Sequence, residues 1–180
     1  MTYISENQVR GFANTALGKS YKSFEESRIE RAQASIFLSH SHKDRDWIED
    51  IIVYIAYNTG VHIYVDWQDR TMPAVTNRAT AERIKKKIGE LDVFVVLATP
   101  NAMASRWVPW ELGIADTLKG SAKIGILPAI DREGNYPGNE YLQLYRRIEI
   151  STQNRLAIFN PNEQVGAHLL RWLIAPNTVS

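Results

Sequence analysis

Trp107 and Glu111, four residues apart in this 180-residue sequence, make the pairing with the most direct chemical potential. Residues four apart on a helix share one face. Both lie in Thr99-Pro100-Asn101-Ala102-Met103-Ala104-Ser105-Arg106-Trp107-Val108-Pro109-Trp110-Glu111-Leu112. Ser105 is suited to cap a helix and Pro109 is accommodated only near its start, so Glu111 falls in the opening turns. An aromatic plate beside a carboxylate suits a flat ring attached to a sugar. The competing reading is a tryptophan packed in the core and a glutamate set near the positive end of a helix. Residue types alone favour the second.

Two further segments carry polar groups. Ser39-His40-Ser41-His42 follows a short apolar run. Histidines at alternate positions can ligate a metal, but His62 and His168 sit on other elements, and without a third ligand no metal site is expected. Hydrogen bonding to a small molecule is the better functional reading; a solvated turn capping the next helix is the simpler one, and residue types favour it. Asp66-Trp67-Gln68-Asp69-Arg70-Thr71-Met72-Pro73 is a polar loop carrying a tryptophan. It reads as a lid, as an interaction surface, or as a connection with Trp67 tucked against a sheet.

Several chemistries are excluded. Cysteine is absent, which removes disulfides, thiol nucleophiles and cysteine-based metal sites. Ala13 to Ser20 is similar to a phosphate-binding loop with alanine for the first glycine, but Glu6-Asn7-Gln8-Val9-Arg10 before it is no buried strand, so the match is fortuitous. No G-x-G-x-x-G occurs. Net charge is +1, and Arg83, Lys85, Lys86 and Lys87 read as the solvated face of one helix, so nucleic acid is not an expected partner. Nothing approaches the ~20 apolar residues of a membrane helix, and the first residues carry no apolar leader. With 44% hydrophobic and 23% charged residues, a cytoplasmic, single-domain globular protein is expected.

The elements that must position these groups alternate. Ser35 to Ser39, Val61 to Val65, Val93 to Ala98, Ile124 to Pro128 and Leu156 to Phe159 read as five strands. The wholly apolar third should be central and covered on both faces. Between them, helices are predicted after Asp44 as far as Asn58, over Thr80 to Glu90 and over Trp107 to Leu118, with a closing helix over Val165 to Leu173. Strands alternating with helices give an α/β, flavodoxin-like, three-layer fold around a five-stranded, mainly parallel sheet. Residues 1–34 are expected to form a helical extension ahead of a domain over 35–180. In such sheets ligands bind beyond the carboxyl ends of the strands, so the loops after residues 39, 65, 98 and 128 are the places to search.

The order of these pieces resembles a Toll/interleukin-1 receptor (TIR) domain of the bacterial type. Phe37-Leu38-Ser39-His40-Ser41 with Lys43-Asp44 is similar to the first family box, Asp66 to Pro73 stands at the BB loop, and Ser105-x-Trp107-x-x-x-Glu111-Leu112 resembles the W-x-x-x-E motif. The chain departs in having His40 for the usual aromatic, no Pro-Gly in the loop, and Val108-Pro109 after the tryptophan.

The resemblance implies an enzyme that cleaves NAD as its substrate and needs no cofactor, with Glu111 as the catalytic residue. Trp107 would stack on a ring of the dinucleotide, Ser39 and His40 would line its ribose or phosphate side, and Trp67 of the loop would join the substrate-binding residues. Nicotinamide leaves as a neutral molecule, so the need is to stabilise an oxocarbenium-like ribose. Capture by an atom of the same molecule gives a cyclic ADP-ribose; capture by water gives ADP-ribose. The resemblance extends to single-domain TIR proteins of Thoeris-type anti-phage systems, implying a nucleotide signal read by a separate effector. It also implies homo-oligomers formed through loop 66–74 and neighbouring helices. A non-catalytic adaptor acting by assembly is the alternative, disfavoured by the Trp107 and Glu111 pair. A phosphoacceptor receiver is set aside because acidic residues are missing after the first strand.

Overall fold

Short runs of β-branched and aromatic residues, each broken by a polar or glycine-containing turn, build a single curled sheet. The computed structural model describes residues 2–23, 33–69, 77–130, 134, 138–153 and 155–178. Its strands are β1 (Ile4–Ser5), β2 (Ser35–Ser39), β3 (His62–Tyr64), β4 (Val93–Ala98), β5 (Ile124–Ile130), β6 (Arg146–Ile150), β7 (Leu156–Phe159) and β8 (Ala167–His168). Their order is β3-β2-β4-β5-β6-β7-β8, with β1 pairing β5 off this path. All pairs from β3 through β6 are parallel, as is β1 with β5. The two pairs at the β7 and β8 end are antiparallel.

Consecutive residues of β4 serve opposite cores. Val93, Val95 and Leu97 join Ile36, Leu38 and Leu127 under the helices α1 (Glu6–Ala13), α3 (Arg45–Thr59) and α7 (Leu169–Ile174). Phe94, Val96 and Ala98 join Phe37, Ile124 and Ile126 under α4 (Arg78–Glu90) and α6 (Trp107–Lys119). This is the three-layer arrangement expected of a strand buried on both faces. α3 stops at Gly60, whose φ of 68° lets its N–H return to the Ala56 carbonyl at 2.7 Å.

Three features depart from the expected pattern. The fifth parallel strand is β6, whereas Leu156–Phe159 returns antiparallel beside it. The Arg-Arg-Ile-Glu-Ile sequence of β6 hides it, because the arginines are satisfied internally: Arg146 donates to the carbonyls of Ala122 and Pro176, and Arg147 to Glu149. The closing helix begins at Leu169 rather than Val165 because Ala167 and His168 pair with β7 as β8, and Gly166 lets the chain approach Phe159, where a Cβ would come within 2.5 Å of the ring. The N-terminal segment holds α1 and α2 (Ala16–Ser23) and also adds β1 to the sheet, with Ile4 and Val9 fully buried. Ala13 to Ser20 spans the α1–α2 corner, which is not the strand–loop–helix of a phosphate site.

Candidate functional site

Strand order reverses at β2, which lies between β3 and β4, so the carboxyl ends of these three strands open onto the position where such sheets bind ligands. Ser39 closes β2, Asp66 follows β3, and Thr99 follows β4. Beyond Thr99 the four-residue helix α5 (Pro100–Met103) turns the chain into α6. Ser105 Oγ accepts the N–H groups of Trp107 and Val108 at 3.2 and 3.5 Å, and Pro109 sits in the first turn, where its missing N–H is harmless.

That start aims Glu111 inward. It is buried, and Ser39 Oγ donates to its Oε2 at 2.5 Å. Burial is the main reason its carboxyl is pushed up to about 8, the negative charge of Asp66 adds to the rise, and the Ser39 hydrogen bond opposes it. At neutral pH its burial therefore favours an uncharged Glu111.

His40 turns away from the strand but stays buried. Its Nδ1 lies 3.0 Å from the Leu38 carbonyl oxygen, which can only accept, so this nitrogen carries the proton. Nε2 is left with a bare lone pair, buried and without a hydrogen-bond partner. Burial also holds the imidazole below its ordinary pKa, which favours the neutral ring. His40 Nε2 and His42 Nε2 each lie 3.9 Å from one oxygen of the Asp66 carboxylate. The fold thus gives the two histidines the third donor that sequence spacing lacks.

A second buried carboxylate ties the loops together. Asp44 precedes α3 but makes no side-chain cap there. Instead it accepts from Thr99 Oγ1 at 2.5 Å and from Asn101 Nδ2 at 2.6 Å, joining the turn after β2 to the segment after β4. Thr99 Oγ1 in turn accepts the Ala102 N–H at 2.9 Å, which caps α5.

His40, His42, Asp66, Trp107 and Glu111 line one cleft of about 50 Å³, and Thr80 and Ile84 of α4 form its far wall. Trp107 is half-buried and stands edge-on to Trp110, ring centroids 5.1 Å apart, so it walls the cleft and also packs. Of the residues proposed from sequence, Ser39, His40, Trp107 and Glu111 meet here. Trp67 does not: it packs on the core of the opposite sheet face, with the Arg45 guanidinium 4.6 Å from its ring. Residues 70–76 lie outside the described residues, so most of the loop expected to mediate assembly does too. Sequence reading missed Asp66 as a carboxylate of the cleft. Its signal was its place, directly after the second strand at the ligand end of the sheet.

A family model described as the TIR domain matches residues 36–159. The chain belongs to the TIR domain family. That match encloses every cleft residue named above and leaves α1 and α2 outside the TIR match. Over 171 residues the chain is 31% identical to a probable 3' cyclic ADP-D-ribose synthase ThsB' of Bacillus cereus (strain MSX-D12), covering 90% of this chain and 83% of that protein. Over 81 residues it is 35% identical to a putative cyclic ADP-D-ribose synthase TIR2 of Cytobacillus dafuensis, covering 43% of this chain and 21% of that protein. Among solved structures, a prokaryotic SEFIR domain aligns with a TM-score of 0.46 at 14% identity, over 67% of this chain and 83% of that one. Among the described residues of the TIR domain and its flanking elements, no helix is long and apolar enough to cross a membrane.

Proposed function

We propose that this TIR protein cleaves the nicotinamide–ribose bond of NAD and closes the resulting ADP-ribosyl cation on itself, producing a cyclic ADP-ribose-type signal in bacterial antiviral defence. The observation that carries the reading is Glu111: a buried carboxyl, hydrogen-bonded by Ser39 and flanked by Trp107 and His40, at the carboxyl end of the central strands. The two synthase relatives support the product class, and the first makes the 3' cyclic isomer the one to look for.

The chemistry asks little of the protein beyond placed charge. The bond from ribose C1' to the pyridinium nitrogen breaks, its electron pair leaves with nicotinamide, and positive charge grows on C1' and the ring oxygen. Glu111 is poised for this step. An incoming cationic pyridinium favours the ionised carboxyl, and the ionised form then stabilises the oxocarbenium-like ribose by charge and by hydrogen bonds to its hydroxyls. Trp107 offers its face to a ring, worth on the order of 1 kcal/mol beyond buried area. His40 Nε2 in its neutral form accepts a hydrogen bond from a sugar hydroxyl. Attack on C1' by a hydroxyl of the same molecule, with loss of its proton, gives the cyclic product; attack by water gives ADP-ribose and a proton. NAD is the substrate and no other cofactor takes part. The product then acts on a separate effector.

Mass spectrometry of NAD incubated with concentrated protein tests the reading. Nicotinamide release with a cyclic second product, reduced by about a hundredfold or more in Glu111→Ala, is the expected outcome. ADP-ribose as the sole product would leave cleavage standing and remove the cyclase assignment. No turnover at high concentration, or equal turnover by the variant, would overturn the enzyme and favour an adaptor acting by assembly.

A further inference from the structure

His40, His42 and Asp66 form a cluster beside Glu111 in the same cleft. Among the described residues it is the one group of three or more His, Cys, Asp or Glu side chains whose ligand atoms all lie within 4.8 Å of one another. We propose that His40 Nε2, His42 Nε2 and the Asp66 carboxylate form a binding site for a divalent transition-metal ion of the zinc class, and that occupancy suppresses turnover.

The second shell is already in place. Imidazole ligands of metals almost always donate their other N–H to a carbonyl or carboxylate, which fixes the tautomer and aims the lone pair. His40 does this: Nδ1 is bound to the Leu38 carbonyl oxygen at 3.0 Å and Nε2 points into the cleft without a hydrogen-bond partner. The His40 side chain is only 3% exposed, so its bare nitrogen is withheld from bulk water, a costly placement unless something binds it. Asp66 is held by the Trp67 N–H at 2.9 Å on Oδ1, which leaves lone pairs on both oxygens for an ion. The His42 side chain, 69% exposed, is free to swing inward.

The distances are near those required. Tetrahedral zinc with ligand bonds of about 2.0–2.1 Å separates its ligand atoms by about 3.3 Å. Each histidine nitrogen stands 3.9 Å from a carboxylate oxygen and the ligand atoms lie within 4.8 Å of one another, so shifts of up to about 1.5 Å, made by the exposed His42 side chain, complete three ligands. Two imidazoles and one carboxylate suit Zn²⁺, Co²⁺ or Ni²⁺ better than Mg²⁺ or Ca²⁺, which prefer oxygen alone. A fourth position would face the cleft and take water.

The effect on turnover rests on the function proposed above. A cleft that stabilises a growing positive charge with Glu111 and Asp66 works against itself once a dication sits on Asp66. The same ion would occupy part of the small space the substrate must enter.

Cobalt is the direct probe because its visible absorption reports protein ligands without reference to activity. The protein titrated with Co²⁺ is expected to develop a visible band that saturates at one ion per chain and is bleached by Zn²⁺. His42→Ala, at an exposed position, and Asp66→Asn should each weaken binding by about tenfold or more. Absence of the band, binding only at millimolar ion, or unchanged affinity in both variants would overturn the site. Zinc is further expected to cut nicotinamide release by the parent about tenfold and to do so less in His42→Ala; equal inhibition of both would overturn the link to turnover. If the protein releases no nicotinamide at all, the cobalt band still decides the site.

Discussion

At the scale of single residues, the decisive quantity is the proton on Glu111. Its carboxyl is held at about 8 in the folded chain against about 4.5 ordinarily, so the native state binds this proton more tightly than the unfolded one. Below about 4.5 both states carry the proton and burial costs nothing extra; as pH rises toward 8 the unfolded chain ionises first, and stability falls. The loss amounts to several kcal/mol, on the order of 1.4 kcal/mol for each tenfold shift in proton affinity. Glu111→Gln keeps the shape and removes the proton, so the difference in unfolding free energy between parent and variant should widen in favour of the variant across that interval. Denaturant titrations at several pH values measure it, and parallel curves would show that Glu111 is not strained by burial. Ser39→Ala removes the O–H that favours the anion. Its expected result is a kcat/KM for NAD cleavage lowered by about tenfold or more, with the ascending limb of the pH profile moved to higher pH. An unmoved limb would mean that Ser39 only fills space.

At the scale of elements, what sequence reveals depends on whether a segment's character is local. Val93–Ala98 is apolar throughout and could only be a covered strand, and Ser105, Pro109 and Gly120 bracket α6 with ordinary helix signals. For the same reason Ser39, His40, Trp107 and Glu111 could be placed at one end of one sheet from sequence. Arg146–Ile150 could not be read, because its arginines become acceptable in a strand only through carbonyls at Ala122 and Pro176, far off in the chain. Asp66 and Trp67 show the same limit at the site. They are neighbours in sequence, yet one faces the cleft and the other the opposite core, and which does which is settled by the short helical turn Asp66–Gln68 after β3. Asp44 stands immediately before α3, where a cap is ordinarily found, and instead links two loops at the cleft. Asp44→Ala leaves Thr99 and Asn101 without their acceptor in a buried setting, so a loss of about 2–4 kcal/mol in unfolding free energy is expected. Asp44→Ser, if it were only a cap, would restore stability; as a link between loops it should not.

At the scale of the whole molecule, the cleft is too small for the substrate its residues suit. Pockets that hold cofactor-sized ligands run to about 300–1,000 Å³, whereas this one measures about 50 Å³. It admits little more than a few waters. A dinucleotide therefore requires the cleft to widen, a neighbouring copy to extend it, or both. If assembly supplies the missing wall, turnover depends on the fraction of chains that are assembled. Specific activity should then rise with protein concentration, and dilution of an active stock should be followed by decay to a lower rate as assemblies dissociate. Initial rates of nicotinamide release, taken from nanomolar to tens of micromolar protein beside sedimentation of the same samples, measure both quantities together. The two curves should share a midpoint, because one equilibrium governs them. A specific activity constant down to nanomolar protein, where sedimentation finds only monomer, would mean that a single chain opens its own cleft.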